Sequence, residues 1–174
     1  MTWNIEPTHS SIDFTVRHMG FSNVRGRFEN FSANLETDAD NKPVSATVTI
    51  DASSINTNVE DRDNHLRSAD FFDVENHPNI TFQSTSITDL GGNNYRVDGD
   101  LTIRGTTNPF SIELETSGEA VKSPFGMMVA AANGAGSLNR KDYGLTWNQV
   151  LEAGGVLVSD TVKFSFDFEL IQAD

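Results

Sequence analysis

Cysteine is absent from the 174-residue chain, which excludes disulfide bonds, thiol catalysis and thiolate metal sites. Long apolar runs are also absent: the longest, residues 127–132, is far short of the roughly 20 residues that a membrane-spanning helix needs. Positive charge is scarce, with 12 Lys and Arg against 25 Asp and Glu, a net charge of -13. This balance argues against binding to nucleic acid and to anionic membrane surfaces, since both require positive charge.

Sequence signatures of catalysis are missing as well. The chain has neither a G-x-S-x-G nucleophile motif nor a glycine-rich phosphate loop or dinucleotide fingerprint. Its histidines are His9, His18, His65 and His77, and none falls in a recognised metal-binding spacing. The sequence therefore predicts a protein that is not an enzyme and that holds neither a metal ion nor a cofactor.

The length and the N-terminal residues bear on organisation and location. A chain of 174 residues fits one domain, 1–174. The first residues contain neither the basic region nor the apolar core that a secretory signal needs. As written, the chain is expected in the cytoplasm, or in the periplasm if an export signal has been removed.

Strict alternation of apolar and polar residues is the strongest structural signal. Residues 162–170 alternate without a break and place three phenylalanines on one face, and residues 11–17 repeat the pattern near the other end of the chain. Long two-faced strands at both ends favour a sheet closed on itself, because closure removes exposed edges. The predicted strands are 11–18, 23–37, 44–52, 79–88, 94–104, 108–117, 127–138 and 156–171. The predicted fold is all-β: a closed antiparallel barrel of roughly eight strands.

One segment, near residues 58–68, predicts a short helix instead of a strand. Thr57 and Glu60 have the spacing of a capping box, and Asp63 and Arg67 are placed for an i,i+4 ion pair. Arg62 shares a helix face with apolar residues, an unfavourable position for a charge unless a negative partner is present. That partner is either an acidic residue of the chain or the phosphate or carboxylate of a ligand, and both alternatives stay open here.

The inward-facing positions of the predicted strands suggest a tunnel. The candidate tunnel residues are Phe14, Val16, His18, Val24, Phe28, Phe82, Leu101, Phe110, Ile112, Ala132, Gly134, Phe164, Phe166 and Phe168. For any one of them, simple core packing is the better interpretation. For the set, the strand at 127–138 favours a tunnel, because its inward face is almost entirely Ala and Gly. Large residues on facing strands fill such space only if they compensate for the small ones.

Several motifs together resemble the YceI-like family of bacterial proteins. They are HSSIDFTVRH (9–18), VRGRF (24–28), RDNHLRSADFFDV (62–74), PxIxF (78–82), IRG (103–105) and NRxDYG (139–144). The resemblance covers nearly the whole chain. It implies a lipocalin-like barrel and the carriage of a polyisoprenoid or similar long-chain amphiphile, and many family members work in the periplasm.

The expected ligand is thus a long-chain isoprenoid or fatty amphiphile, with its tail in the tunnel and no covalent chemistry. Its head group would meet Arg62, His65, Asn139, Arg140 and Trp147, since arginine is suited to phosphate and carboxylate. A homodimer is an open alternative to a monomer. The competing functions are a barrel isomerase or hydrolase using His18, and a filled barrel that serves as a structural or stress-related interaction module.

Overall fold

The computed structural model describes residues 1–152 and 154–174. Over these residues the chain forms twelve β-strands, one α-helix and three short 3-10 helices. The strands are β1 Thr2–Ile5, β2 Ser11–His18, β3 Ser22–Phe28, β4 Phe31–Thr37, β5 Pro43–Asp51, β6 Ile55–Asn56, β7 Asn79–Gly91, β8 Asn94–Ile103, β9 Thr106–Thr116, β10 Val121–Lys122, β11 Met128–Asn139 and β12 Val158–Gln172. The helix α1 is Glu60–Arg67, and the 3-10 helices are Pro7–His9, Ala52–Ser54 and Arg140–Tyr143.

The sheet closes into an antiparallel barrel, as the sequence predicts. Within the described ranges, the ring contains eight strands in the order β11-β9-β8-β7-β5-β4-β1-β12. It closes through a long β11–β12 pairing that runs from Val129 opposite Ile171 to Asn139 opposite Thr161. Strands β2, β3 and β6 continue the sheet from β12. Closure pairs the backbone groups that an open sheet would expose at its edges.

The β11–β12 register explains the small-residue strand. Ala132, Gly134 and Gly136 lie directly opposite Phe168, Phe166 and Phe164. A Cβ atom built on Gly134 would stand 2.8 Å from the Phe166 ring, and one on Gly136 would stand 2.9 Å from the Phe164 ring. The rings therefore lie across β11 in the space that its missing side chains leave.

The predicted strand at 23–37 is interrupted in the structure. It divides into β3 and β4 at Glu29 and Asn30, whose backbone N–H groups donate to the carbonyl and hydroxyl oxygens of Ser54 at 3.2 and 3.0 Å. The sequence did not predict β1, β6 or β10, because strands of two to four residues are too short to show alternation.

The helix is correctly placed, but two predicted details are wrong. It begins after Val59, which provides no side-chain capping bond. Thr57 instead donates from its backbone N–H and its hydroxyl to Oδ1 of the buried Asp63, at 2.9 and 2.5 Å. Arg67 donates to the carbonyl oxygens of Ser53 and Ile55 at 2.8 and 3.0 Å, so the predicted Asp63–Arg67 pair does not form.

Two clusters of buried residues lie in the barrel. The helix-side cluster contains Phe28, Ala52, Ile55, Phe71, Ile80, Ile103, Tyr143 and Leu145, with Leu66 of α1 packed against it. The Trp3 cluster contains Trp3, Ala132 and Leu170, packed by Leu35, Ala120, Met128, Ala130 and Phe168. Among the described residues, no helix has the length and apolarity needed to cross a bilayer.

Candidate functional site

The barrel encloses a cavity of about 430 Å³ whose lining is almost entirely apolar. This volume lies within the range of small-molecule binding sites, roughly 300–1,000 Å³. Thirteen of the predicted tunnel residues line it: Phe14, Val16, His18, Val24, Phe28, Phe82, Leu101, Phe110, Ile112, Ala132, Phe164, Phe166 and Phe168. The structure thus brings together side chains from seven strands of the sheet.

Gly134 is the predicted tunnel residue that does not line the cavity. It faces the interior, but the Phe166 ring lies directly over it, 2.8 Å from the position of a Cβ atom. The ring therefore supplies the cavity surface at this point, and Gly134 supplies the room in which the ring lies.

Other lining residues were not among those predicted. Strand residues that alternation could have identified include Ile12, Leu35, Val48, Ile50, Ile87, Tyr95, Val97, Leu114, Leu138 and Val162. Phe71, Phe72, Leu145 and Leu157 also line the cavity, but they lie outside the strands. No periodic signal marks such residues, because only the tertiary fold carries their segments across the barrel.

Aromatic pairs form much of the cavity wall. Ring centroids are 4.8 Å apart for Phe166 and Phe168, and 5.8 Å apart for Phe110 and Phe164. Phe31 stacks on Phe168 at 5.9 Å. The rings fix one another in offset or tilted contacts, yet Phe164, Phe166 and Phe168 are only half-buried. Their remaining apolar surface faces the cavity.

His65 and Trp147, which were both predicted to meet the head group, contact each other in this wall. Their ring centroids are 4.7 Å apart in an edge-to-face contact, and Phe71 completes the group at 5.1 Å from His65. Nε2 of His65 lies 2.8 Å from a carboxylate oxygen of Asp70. All three rings line the cavity.

Arg62 lines the same cavity and is half-buried. Its Nε donates to the hydroxyl of Thr57 and its Nη2 to the carbonyl of Thr57, both at 2.8 Å. The Thr57 hydroxyl in turn donates to Asp63. No carboxylate in residues 1–152 or 154–174 lies within ion-pair distance of the Arg62 guanidinium, and the nearest link to one runs through the Thr57 hydroxyl to Asp63.

Arg140 has a different environment, although the sequence groups it with Arg62. Its side chain is buried, and Nη1 donates to the carbonyls of Leu145 and Trp147 at 2.7 and 2.9 Å. Nε donates to the carbonyl of Ser159 at 2.9 Å. Burial lowers the pKa of Arg140 and the Asp160 carboxylate, 3.9 Å away, opposes this shift. The guanidinium thus holds the segment after β11 in place. These bonds occupy the N–H donors of Arg140 that were predicted to bind a head group.

Asn139, also predicted to meet the head group, is not among the residues that line the cavity. Strand alternation turns Leu138 inward and leaves Asn139 exposed. Its side-chain oxygen accepts from the backbone N–H of Lys141 at 3.0 Å and caps the following 3-10 helix. The residue therefore shapes the turn that carries Arg140.

A candidate metal-binding group lies outside the cavity wall. Nδ1 of His9 is 2.8 Å from a carboxylate oxygen of Glu6 and 3.8 Å from one of Glu169. The hydroxyl of Thr8 also donates to Glu6 at 2.6 Å, and this bond is the main reason why the pKa of Glu6 is lowered. His9 is largely exposed, and the contacts are those of a surface ion pair.

Fold and cavity define the class: a closed antiparallel β-barrel with an internal apolar cavity. Residues 3–170 match the YceI-like domain, and the chain belongs to that family. The UPF0312 protein SA2479 of Staphylococcus aureus is 39% identical over 168 residues, covering 96% of this chain and 95% of the relative. The UPF0312 protein SERP2314 of Staphylococcus epidermidis is 40% identical over the same shares of both chains.

Solved structures share the fold. The Campylobacter jejuni YCEI protein has a TM-score of 0.77 and 27% identity, covering 91% of this chain and 90% of that chain. Burkholderia cenocepacia BcnA has a TM-score of 0.79 and 23% identity over 95% and 98%. A polyisoprenoid binding domain from Saccharophagus degradans, implicated in plant cell wall breakdown, has a TM-score of 0.73 and 17% identity over 98% of both chains.

Proposed function

We propose that this protein binds and carries a long-chain amphiphilic lipid of the polyisoprenoid class, without covalent chemistry. The observation that carries the proposal is the apolar cavity of about 430 Å³, walled by phenylalanine rings that keep free surface. Its fold is shared with a domain described as polyisoprenoid binding. An apolar, enclosed wall is suited to a hydrocarbon tail, which needs no hydrogen-bond partner.

The tail supplies most of the binding free energy in this proposal. Burying one methylene group gains about 0.8 kcal/mol, so one isoprene unit gains roughly 3–4 kcal/mol before the costs of association. A charge-assisted hydrogen bond to the head group contributes about 1.5–3 kcal/mol. A tail of several units therefore outweighs the head group, which sets orientation and selectivity.

Arg62 is the best-placed residue for an anionic head group. It lines the cavity, and among the residues that the structure describes Thr57 is its one hydrogen-bond partner. His65 and Trp147 add a second polar contact point in the same lining. Arg140 is not part of this proposed head-group site, because carbonyl groups of the chain already occupy its donors.

Native mass spectrometry of the purified protein tests the proposal directly. A bound mass that fragments to a prenyl lipid supports a carrier. Two bound lipids related by a reaction would support the competing lipid isomerase or hydrolase. A protein that stays free of lipid after incubation with prenyl alcohols would overturn the proposal and favour the filled-barrel interaction module.

A chain-length series of prenyl alcohols sharpens the test. Affinity should rise with each isoprene unit until the cavity is full and then level off. Phe125→Ala is a matched control for Phe166→Ala, which truncates a ring of the cavity wall. Phe125 is 87% exposed and is not among the residues that line the cavity. A flat series from the shortest alcohol would contradict tail recognition.

A further inference from the structure

Exposed apolar side chains gather at one end of the barrel. Met19 and Phe21, in the β2–β3 turn, are 44% and 80% exposed, and Val150 and Val156, in the segment before β12, are 78% and 44% exposed. These four residues are called the apolar tip below. Burying them would be favourable, since each large side chain gains about 1.5–3 kcal/mol when it leaves water completely.

Backbone contacts join the two halves of the apolar tip. The N–H of Met19 donates to the carbonyl of Leu157 at 2.8 Å, and the N–H of Leu157 donates to the carbonyl of Gln149 at 2.9 Å. Val150 and Val156 form a β-bridge. The turn and the segment before β12 therefore present one surface.

Unpaired cations follow the outer face of the sheet next to the apolar tip. Arg25 and Lys163 both lie opposite Thr15, one on each side of β2, and Arg17 lies two residues further toward the tip. All three cations are exposed. In the described part of the chain, none of them forms a salt bridge. These residues are called the cationic strip.

We propose that the apolar tip and the cationic strip together dock the protein on an anionic lipid bilayer. Shallow membrane binding combines apolar side chains in the acyl boundary with Lys and Arg at the head groups. The net charge of -13 opposes this at long range. At physiological ionic strength, however, charges beyond about 8 Å are largely screened, so the local strip decides the interaction at the surface.

The opposite end of the barrel shows why charge identifies the docking end. The β10–β11 hairpin also exposes apolar residues, with Val121 67% and Phe125 87% exposed. It is at the other end, because Val129 of β11 pairs with Ile171 while His18 pairs with Val158. Exposed carboxylates lie at both ends: Asp38, Asp40, Asp89, Glu115 and Glu119 there, and Glu60, Asp61, Asp70, Glu75 and Asp142 in segments at the end of the apolar tip. The position of the cationic strip beside the apolar tip, and not the number of acidic residues, therefore identifies the docking end.

Carboxylates at the end of the apolar tip work against the proposed docking. Glu152 is exposed in the same segment as Val150. Removing this negative charge should therefore increase the affinity for anionic vesicles, whereas the variants of the apolar tip and the cationic strip should decrease it. We expect Glu152→Gln to bind anionic vesicles about fivefold more tightly, the effect of about one charge at a membrane surface.

Vesicle sedimentation tests the docking surface. Wild-type protein should bind phosphatidylcholine vesicles containing phosphatidylglycerol, bind pure phosphatidylcholine vesicles weakly, and dissociate at high salt. Phe21→Ser should weaken binding at least about tenfold. Phe125→Ser, its control at the opposite end, should bind like the wild type. Both residues are so exposed that neither change should disturb folding.

Two double variants, each lacking two exposed cations, test the contribution of charge to vesicle binding. Arg25→Gln with Lys163→Gln should weaken binding about 25-fold, or roughly fivefold per cation. Lys42→Gln with Lys122→Gln removes two exposed cations from elsewhere on the barrel and should have little effect. If the two double variants behave alike, net charge and not the cationic strip governs binding.

Three further results would overturn the proposal: no binding of the wild type to anionic vesicles, equal losses for Phe21→Ser and Phe125→Ser, or a dimer abolished by Phe21→Ser with no vesicle binding. The last would assign the apolar tip to contact between two copies. The inference does not depend on what the cavity holds, since binding is measured by cosedimentation without added ligand.

Discussion

Trp3 and Phe166 both point to the interior of the barrel, yet their surroundings differ. Trp3 is 3% exposed, packs in the Trp3 cluster and donates from Nε1 to the hydroxyl of Thr37 at 3.1 Å. Phe166 lies opposite Gly134 and keeps surface toward the cavity. Two interior aromatic residues can thus serve as core or as binding wall. The neighbours, not the residue type, decide which.

Truncating Trp3 and Phe166 to alanine should give the largest difference between the packed core and the cavity wall. Trp3→Ala should lower the free energy of unfolding by about 3–5 kcal/mol, because it leaves a void in packed surroundings. Phe166→Ala should cost less than about 3 kcal/mol, since part of its ring already faces a cavity, and it should weaken prenyl-lipid binding. Denaturant unfolding and lipid titration measure both. Similar losses of stability, with unchanged lipid binding, would make Phe166 a core residue.

The two arginines give a second contrast, beginning with the larger effect. Arg140→Gln should lower the free energy of unfolding by about 3 kcal/mol, because several buried carbonyls lose a charged donor at once. The melting temperature should fall clearly, and the segment from Leu145 to Trp147 should become more susceptible to limited proteolysis. Arg62→Gln is the control and should lower the melting temperature much less, since it removes bonds to Thr57 alone.

Arg62→Gln should act on the ligand instead. We expect prenyl phosphate to bind about 1.5–3 kcal/mol more weakly, because a charged donor to the head group is lost. The uncharged prenyl alcohol of the same length should bind as before. Calorimetric titration with both lipids makes this comparison. Equal losses for phosphate and alcohol would show that Arg62 shapes the cavity and does not recognise the head group.

The two glycines of β11 should give the smallest contrast. A Cβ on Gly134 would stand 2.8 Å from both the Glu113 carbonyl oxygen and the Phe166 ring. Gly134→Ala should thus cost about 1–3 kcal/mol, the usual range for overpacking. Near Gly136 the close atoms belong only to the Phe164 ring, which can move into the cavity. Gly136→Ala should cost less than Gly134→Ala in denaturant unfolding, and the reverse order would contradict this account.

The alternating pattern of this sequence determined the closed barrel and identified thirteen of the residues that line its cavity. Periodicity of two assigns each strand residue to a face, so the sequence alone places Phe14, Phe110 and Phe164 inside the barrel. The helix near 58–68 was predicted from helical spacing in that segment, although the capping bond inferred with it does not form. The sequence also indicated that large residues would face β11, since its inward face is nearly all Ala and Gly. It did not show which large residue lies opposite each small one.

Tertiary structure decided what the polar residues do, because hydrogen bonds depend on three-dimensional neighbours that spacing does not reveal. Arg62 and Arg140 were equivalent candidates in the sequence. The fold gives Arg140 the carbonyls of a crossing segment and leaves Arg62 with Thr57 beside the cavity. It also collects Phe21 and Val150 on one surface through the contact of Met19 with Leu157. Alternation assigns a face to each strand residue, but only the packed chain determines which partners each polar group meets.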